Sequence, residues 1–505
     1  MSEKMNVLFI MTDQQRADHL GCSGNPILKT PNIDSIAREG IRFENAFVTN
    51  PMCMPNRACL LTGLYPNMHG IRCNGINLPL NVPTITQTLL KCGYHTHAVG
   101  KMHLQYWFLR MIENSTSVEF FESWREGKSR AEMIKNFPVP YYGFNEVESV
   151  ISHGDTCSGH YMNWLEERAP HYADIINSKG MEFFLSLTYD TDLPEEFYPT
   201  TYVTDRTIAF LEKYSKGEYG KKPFFLHCSY PDPHHPVCPP GRYRDLYNPE
   251  DIELPRNFNN LKSLYEHKFL GPILRDPPSR NSQHRESTEE EVKKFIAYTY
   301  GTIAMIDHGV GQILASLEKF GLADNTMIIY TSDHGDFMGD HGMLLKGPSP
   351  FDAIIKVPLL WKVPGMTTSG VAETLVSSID IPKTILSLLN IEKENQPPNM
   401  QGVDITPALK DPSNKVRECC LIEEDEEYGD TKVRVRTLIT DDYKLTLYKG
   451  LENYGDLFDR KQDPKEIKNL WHDNNFKEVR YGLINKMAQE ILKAQSDYPH
   501  KQAIS

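Results

Sequence analysis

The chain has 505 residues, 40% hydrophobic and 24% charged, and carries a formal net charge of −13. Such length predicts one large domain plus a smaller one, and the acidic balance argues against nucleic acid or an anionic membrane as partner. Ten cysteines without dense, regular spacing, two of them adjacent at Cys419 and Cys420, predict reduced thiols rather than a disulfide framework. Met1 to Met5 leads into an apolar run too short for a signal-peptide core, and no segment has membrane-spanning length, which predicts a cytoplasmic product.

In chain order, Asn6 to Thr12 is an apolar run ending in Asp13-Gln14, the pattern of a strand buried on both faces. Thr30 to Ala37 carries Pro31 and Asn32 as start signals, which predicts a helix before a strand near Phe43 to Val48. Pro55 suits a first helical turn, so Cys53 should sit at a helix N-terminus, where free backbone N–H groups and the dipole favour an anion. Arg57 lies about one turn on, and its planar fork suits the tetrahedral oxygens of a sulfuryl or phosphoryl group. A buried structural cysteine at a helix start is the competing explanation of this stretch. Thr84 to Cys92 predicts a helix and Gly93 to Gly100 a strand; Phe224 to Ser229 and Met327 to Thr331 predict two more strands, the last preceded by a long helix from about Glu290 to Phe320. Alternating strands and helices imply a mostly parallel sheet covered on both faces.

Polar clusters follow the apolar runs: Asp13 and Gln14, Lys101 and His103, His234, then Asp333 and His334. In open α/β sheets ligands bind beyond the carboxyl ends of the strands, so these clusters should converge. Residues 105–200 and 250–287 show weak periodicity and are expected to be insertions over the site. Val433 to Thr440 and Lys444 to Tyr448 alternate like antiparallel strands, and Lys477 to Gln495 is amphipathic. Residues 1–410 are thus expected to form the catalytic domain and 411–505 a smaller α+β domain. The last helix, with Tyr481, Ile484 and Met487, offers a face for a homo-oligomer.

The string Cys53-Met54-Pro55-Asn56-Arg57 with Thr62-Gly63, Gly100-Lys101-Met102-His103, Pro233-His234-His235-Pro236 and the lysine in Gly339 to Gly347 together resemble the sulfatase family. The resemblance implies an alkaline-phosphatase-like α/β fold with a smaller C-terminal domain on an antiparallel sheet. It also implies that Cys53 is converted to formylglycine, before folding, by a formylglycine-generating enzyme that reads Pro55 and Arg57. Cys59, which lacks a Pro at plus two, should stay a thiol. One divalent ion would be held by Asp13, Gln14, Asp333 and His334, with Gly335 easing the backbone around it. Many sulfatases have Asp where this chain has Gln14 and Asn where it has His334; the exchange weakens the case for Ca²⁺ relative to Mn²⁺.

In the family pattern Lys101 holds the formylglycine hydroxyl or a substrate oxygen and His103 takes the proton that regenerates the aldehyde. His234 protonates the leaving oxygen, Lys346 binds the substrate, and His235 is a bystander. Lys101 and His103 alone would also fit a solvated strand end, and Asn74 fits either a tight turn or the pocket wall. The predicted activity is hydrolysis of small anionic sulfate esters. The alternative from the same superfamily is a phosphonate or phosphate ester hydrolase, which usually carries Tyr and Thr in place of Lys101 and His103. A non-catalytic binding protein that kept the fold would have no need of all these groups.

Overall fold

A computed structural model describes residues 4–108, 116–125, 127–275, 284–428 and 431–495. Its centre is strand β1 (Asn6–Thr12), every residue of which is buried. Alternate side chains serve opposite cores: Val7, Phe9 and Met11 join one apolar cluster, Leu8 and Ile10 the other. That two-sided burial explains why the run is apolar without alternation.

The remaining strands of this sheet are β2 (Ile41–Phe47), β3 (His95–Gly100), β4 (Glu146–Ile151), β5 (Ser158–Gly159), β6 (Phe224–Ser229), β8 (Thr326–Ser332), β10 (Leu359–Lys362) and β11 (Gly370–Ser377). A separate two-stranded ribbon pairs β7 (His284–Glu286) with β9 (Met343–Leu345). The large sheet has nine strands in the order β11-β2-β10-β8-β1-β6-β3-β4-β5. β1 runs parallel to both β6 and β8, with Thr12 opposite Ser332, so Asp13 and Asp333 leave adjacent strand ends. β10 is antiparallel to its neighbours and β5 antiparallel to β4, which makes the sheet mixed.

Helices cover both faces. On one side lie α2 (Cys53–Thr62), α3 (Ile85–Lys91) and α6 (Asp380–Leu388), which contribute Met54, Ala58, Ile85, Leu89, Ile381 and Ile385 to the first core. On the other lie α1 (Pro31–Arg38), α4 (Pro199–Ser215) and α5 (Glu289–Lys319), through Ile33, Ile36, Val203, Phe210, Ile306 and Val310. Each of these side chains larger than alanine contributes about 1.5–3 kcal/mol of transfer free energy. Thr84 caps α3 and Thr288 caps α5, each through a reciprocal box with Gln87 or Glu291.

Two sequence-based boundaries change. Residues 105–200 are not simply an insertion, because they include β4, which pairs with β3 in parallel as part of the main sheet. Its Glu-Val-Glu-Ser-Val-Ile pattern is that of a strand near the sheet's edge, partly wetted and therefore weakly apolar. The C-terminal sheet has four strands in a meander, β12 (Cys420–Tyr428), β13 (Thr431–Ile439), β14 (Tyr443–Tyr448) and β15 (Gly455–Asp459), where two were expected. β12 escaped notice because its second half is acidic. Helix α7 (Lys477–Lys493) packs Leu483 and Met487 against Leu421, Leu438, Leu445 and Leu457 of that sheet, together with Cys59, Tyr65 and Ile379 from the larger layer. Met487 and Ile484 thus serve the chain's own core, and of the three residues expected to face a partner only Tyr481 is exposed. All ten cysteines are free.

Candidate active site

α2 starts at Cys53, and all ten of its residues are buried. Asn50 accepts the Met52 N–H and Asn74 accepts the Met54 N–H at 3.1 Å, so side chains satisfy the donors that a helix start leaves open. Asn74 therefore stands beside Cys53. Asn56, absent from the expected site, donates to the Asp333 carbonyl at 2.7 Å and accepts from Ser378 Oγ at 2.6 Å, tying the helix to the end of β8.

Cys53 Sγ lies 3.0 Å from His334 Nε2 and 3.5 Å from Lys346 Nζ. Burial opposes the thiolate, yet Lys346, with help from His334 and Lys101, holds the thiol below its ordinary value. His334 donates Nδ1–H to the Gly335 carbonyl, which leaves the Nε2 lone pair facing the site. Gly335 serves by close approach: a Cβ there would stand 2.1 Å from the Ala353 carbonyl oxygen.

Asp13, Cys53, Asp333 and His334 offer ligand atoms that all lie within 4.8 Å of one another. Asp13 Oδ1 is fully buried without a hydrogen-bond partner and sits 3.6 Å from His334 Nε2; Asp333 Oδ1 sits 3.7 Å from the same nitrogen. Gln14, at φ 66°, turns its carboxamide so that Nε2 donates to Asp336 at 2.7 Å while Oε1 accepts from Lys346. Its left-handed backbone is the kind of strain that a surrounding network must hold. The orphaned Asp13 oxygen, Asp333 and the His334 nitrogen turned toward Cys53 form a buried group that could hold a divalent ion.

Arg57 departs from expectation in its aim. Its Nε donates to Asp333 Oδ2 at 2.7 Å and its terminal nitrogens to Asp13, the Lys101 carbonyl and Ser229 Oγ. The fork braces the two carboxylates instead of facing tetrahedral oxygens. Burial works against a charged Asp13, but Lys101 and Arg57 outweigh it and hold the carboxyl well below the usual range. Lys101 Nζ contacts Asp13 Oδ2 directly. His103 adopts φ 52°, donates its backbone N–H to Glu119 at 2.7 Å, and is held neutral by burial and by Lys101 and Arg57.

Three further residues come from the structure. His153, in the loop after β4, touches Lys101 Nζ, lies 3.8 Å from Asp13 Oδ2 and stacks on His234 with ring centroids 3.6 Å apart. Asp336 orients Gln14, and Glu119 accepts three successive backbone N–H groups from His103 to Gln105. His235 also reaches this network, its Nδ1 lying 3.4 Å from Gln14 Nε2. His234 donates Nδ1–H to its neighbour's carbonyl and presents Nε2 to Lys346 at 2.9 Å.

The geometry agrees with the comparisons. The chain matches the sulfatase family over residues 5–391 and the C-terminal family of N-sulphoglucosamine sulphohydrolase over residues 339–494. It is 29% identical to an arylsulfatase of Clostridium perfringens over 98% of this chain and 95% of that protein. It is also 29% identical to a multifunctional alkaline phosphatase superfamily protein of Trinickia caryophylli, over 97% and 95%. The solved phosphonate monoester hydrolase of Agrobacterium radiobacter superposes with a TM-score of 0.79 at 23% identity, over 99% and 98%, which shows a shared fold. The chain belongs to the sulfatase family, the sulfuric ester hydrolases of the alkaline phosphatase superfamily.

Proposed function

We propose that the protein hydrolyses small sulfate monoesters with a nucleophile made from Cys53 and one divalent ion, Mn²⁺ or Ca²⁺, held by Asp13, Gln14, Asp333 and His334. The observation that carries this reading is the position of Cys53 Sγ, at a helix start and between His334 and Lys346. A formylglycine hydrate there would place one hydroxyl against the sulfur. The ion, when bound, would supply a Lewis acid to oxygen at this point.

The chain's own residues do the rest. Arg57 keeps Asp13 ionised and ties both Asp13 and Asp333 in place, so the site needs no reorganisation as charge develops. Lys346 and Lys101 face the volume around Cys53 and Asp13 and balance charge on non-bridging oxygens. His234, its Nδ1 committed to a carbonyl, turns Nε2 toward Lys346 and the site, from where it carries a proton to the leaving oxygen; the incoming anion favours that charged form, which burial and His153 otherwise disfavour. His103, kept neutral, takes the proton from the second hydroxyl, and the aldehyde reforms as sulfate leaves. A formylglycine-generating enzyme is the maturation partner this chemistry requires.

The test is a pair of measurements on one metal-replete sample. Peptide mass spectrometry should show the Cys53 peptide lighter by about 18 Da than its cysteine form, with Cys59 intact. Matched aryl sulfate, phosphate and phosphonate esters should then rank with sulfate first in kcat/KM. Full activity with unmodified Cys53 would refute the nucleophile. A phosphonate preference above about tenfold, or roughly 1.4 kcal/mol, would transfer the assignment to phosphonate ester hydrolysis.

A further inference from the structure

The far end of β3 carries a second cluster. His95 and His97 are two residues apart on a strand, so their rings share a face, and His97 is in register with Glu146 of β4. His95 Nε2 lies 3.5 Å from Glu146 Oε1 and His97 Nδ1 lies 3.4 Å from Glu146 Oε2. Ligand atoms of the three residues fall within 4.8 Å of one another. Four residues of strand separate His97 from Lys101, or about 13 Å, so this is not the catalytic centre.

The ring nitrogens are unsatisfied. His95 Nε2 and both nitrogens of His97 lack a hydrogen-bond partner, although His97 is only 2% exposed. Leaving a buried polar group unpaired costs about 1–3 kcal/mol. The spacing itself is informative: direct N–H···O bonds close to about 2.7–3.2 Å, whereas two donors each about 2.1 Å from a tetrahedral ion stand roughly 3.4 Å apart.

The surroundings suit a cation. Behind the ring, His97 Nε2 lies 3.3 Å from Glu148 Oε1, and Glu148 is ion-paired by Arg206. A carboxylate on that side of the ring is placed where a ligating histidine's orienting partner stands, here at ion-pair rather than hydrogen-bond geometry. Glu146 and Glu148 place carboxylate oxygens on both sides of the His97 ring, so positive charge is favoured here. Glu146 is half-exposed and leaves a path from solvent, while Phe210 and Tyr219 wall the histidine side.

We propose that His95, His97 and Glu146 form a second metal site, for a borderline divalent cation of the zinc class with water as fourth ligand. Two imidazoles and one carboxylate match that class better than the oxygen-rich preference of Ca²⁺ or Mg²⁺. The ion would clamp β4 to β3, and β4 leads directly to His153.

The probe is Zn²⁺ itself, added to full-length enzyme already loaded with Mn²⁺. The wild type should bind one more equivalent of Zn²⁺ than either His95→Gln or Glu146→Gln, and Zn²⁺ should raise its Tm more than theirs. Crystals grown with Zn²⁺ should show an anomalous peak between His95 and His97. Zinc entering the catalytic centre is common to all three proteins and cancels in the comparison. Glu146 is exposed enough that Glu146→Gln folds normally if His95→Gln does not. Equal zinc uptake by wild type and Glu146→Gln, or an anomalous signal confined to Asp13 and Asp333, would overturn the proposal.

Discussion

At the catalytic edge, Asp13 and Asp333 are buried against Arg57, and Lys101 adds a second cation on Asp13. Along β12, Glu424 and Glu426 are also buried but meet mainly other acids, Asp425 and Glu427. Burial drives Glu424 well above the carboxylate range and Glu426 to about 7. Burial on both sides thus leaves Asp13 charged and Glu424 neutral, and the difference is the partner. A buried acid with a guanidinium is a fixed negative charge able to hold a cation; one among other acids is a neutral carboxylic acid.

The comparison breaks most severely if Arg57 is removed. Arg57→Met should cost about 3–5 kcal/mol of stability, because two carboxylates are left buried without their cation, and turnover should fall by about 10³-fold or more as the site loses its geometry. Chemical denaturation and steady-state kinetics on one preparation measure both. Near-wild-type kcat would mean the carboxylates hold their places without the fork.

A smaller effect is expected at Asp336, which touches Gln14 alone among the proposed ligands. Asp336→Asn should weaken Mn²⁺ affinity about 10–100-fold while leaving kcat at saturating metal closer to wild type. Loss of kcat with unchanged metal affinity would place Asp336 in the chemistry instead.

The smallest effect sharpens the other side. Glu426 binds its proton more tightly folded than unfolded, since about 7 exceeds the ordinary 4.5. The unfolded chain therefore holds fewer protons between those values, and stability falls as pH rises from about 4.5 to 7, then levels. Glu426→Gln should remove part of that slope and raise Tm at pH 8. A slope unchanged in the variant would show that Glu426 ionises freely.

The sequence made the chemistry more legible than the scaffolding around it. Asp13, Cys53, Lys101, His234 and Asp333 could be found because each follows an apolar run or a proline signal, and the strand ends then gather them. His153 stayed hidden because β4 lies towards the sheet's edge, where mixed polarity imitates a loop. Asp336 was missed although it lies three residues after Asp333, because its task depends on the rotamer of Gln14, which no spacing encodes. Arg57 was found for the right position and the wrong partner: helical spacing set its place, while its aim was decided by β1 and β8, strands far apart in the chain.

Those distances along the chain carry a kinetic consequence. Gln14 meets Asp333 across 319 residues and Cys53 meets His334 across 281. Contacts of such separation must wait until most loop-closure entropy has been lost. No proteolytic half of the molecule can hold the centre, and during refolding the recovery of turnover should lag behind the recovery of helical signal. Activity in this protein is therefore a clock for the completion of assembly, one that starts only when the first and eighth strands lie side by side.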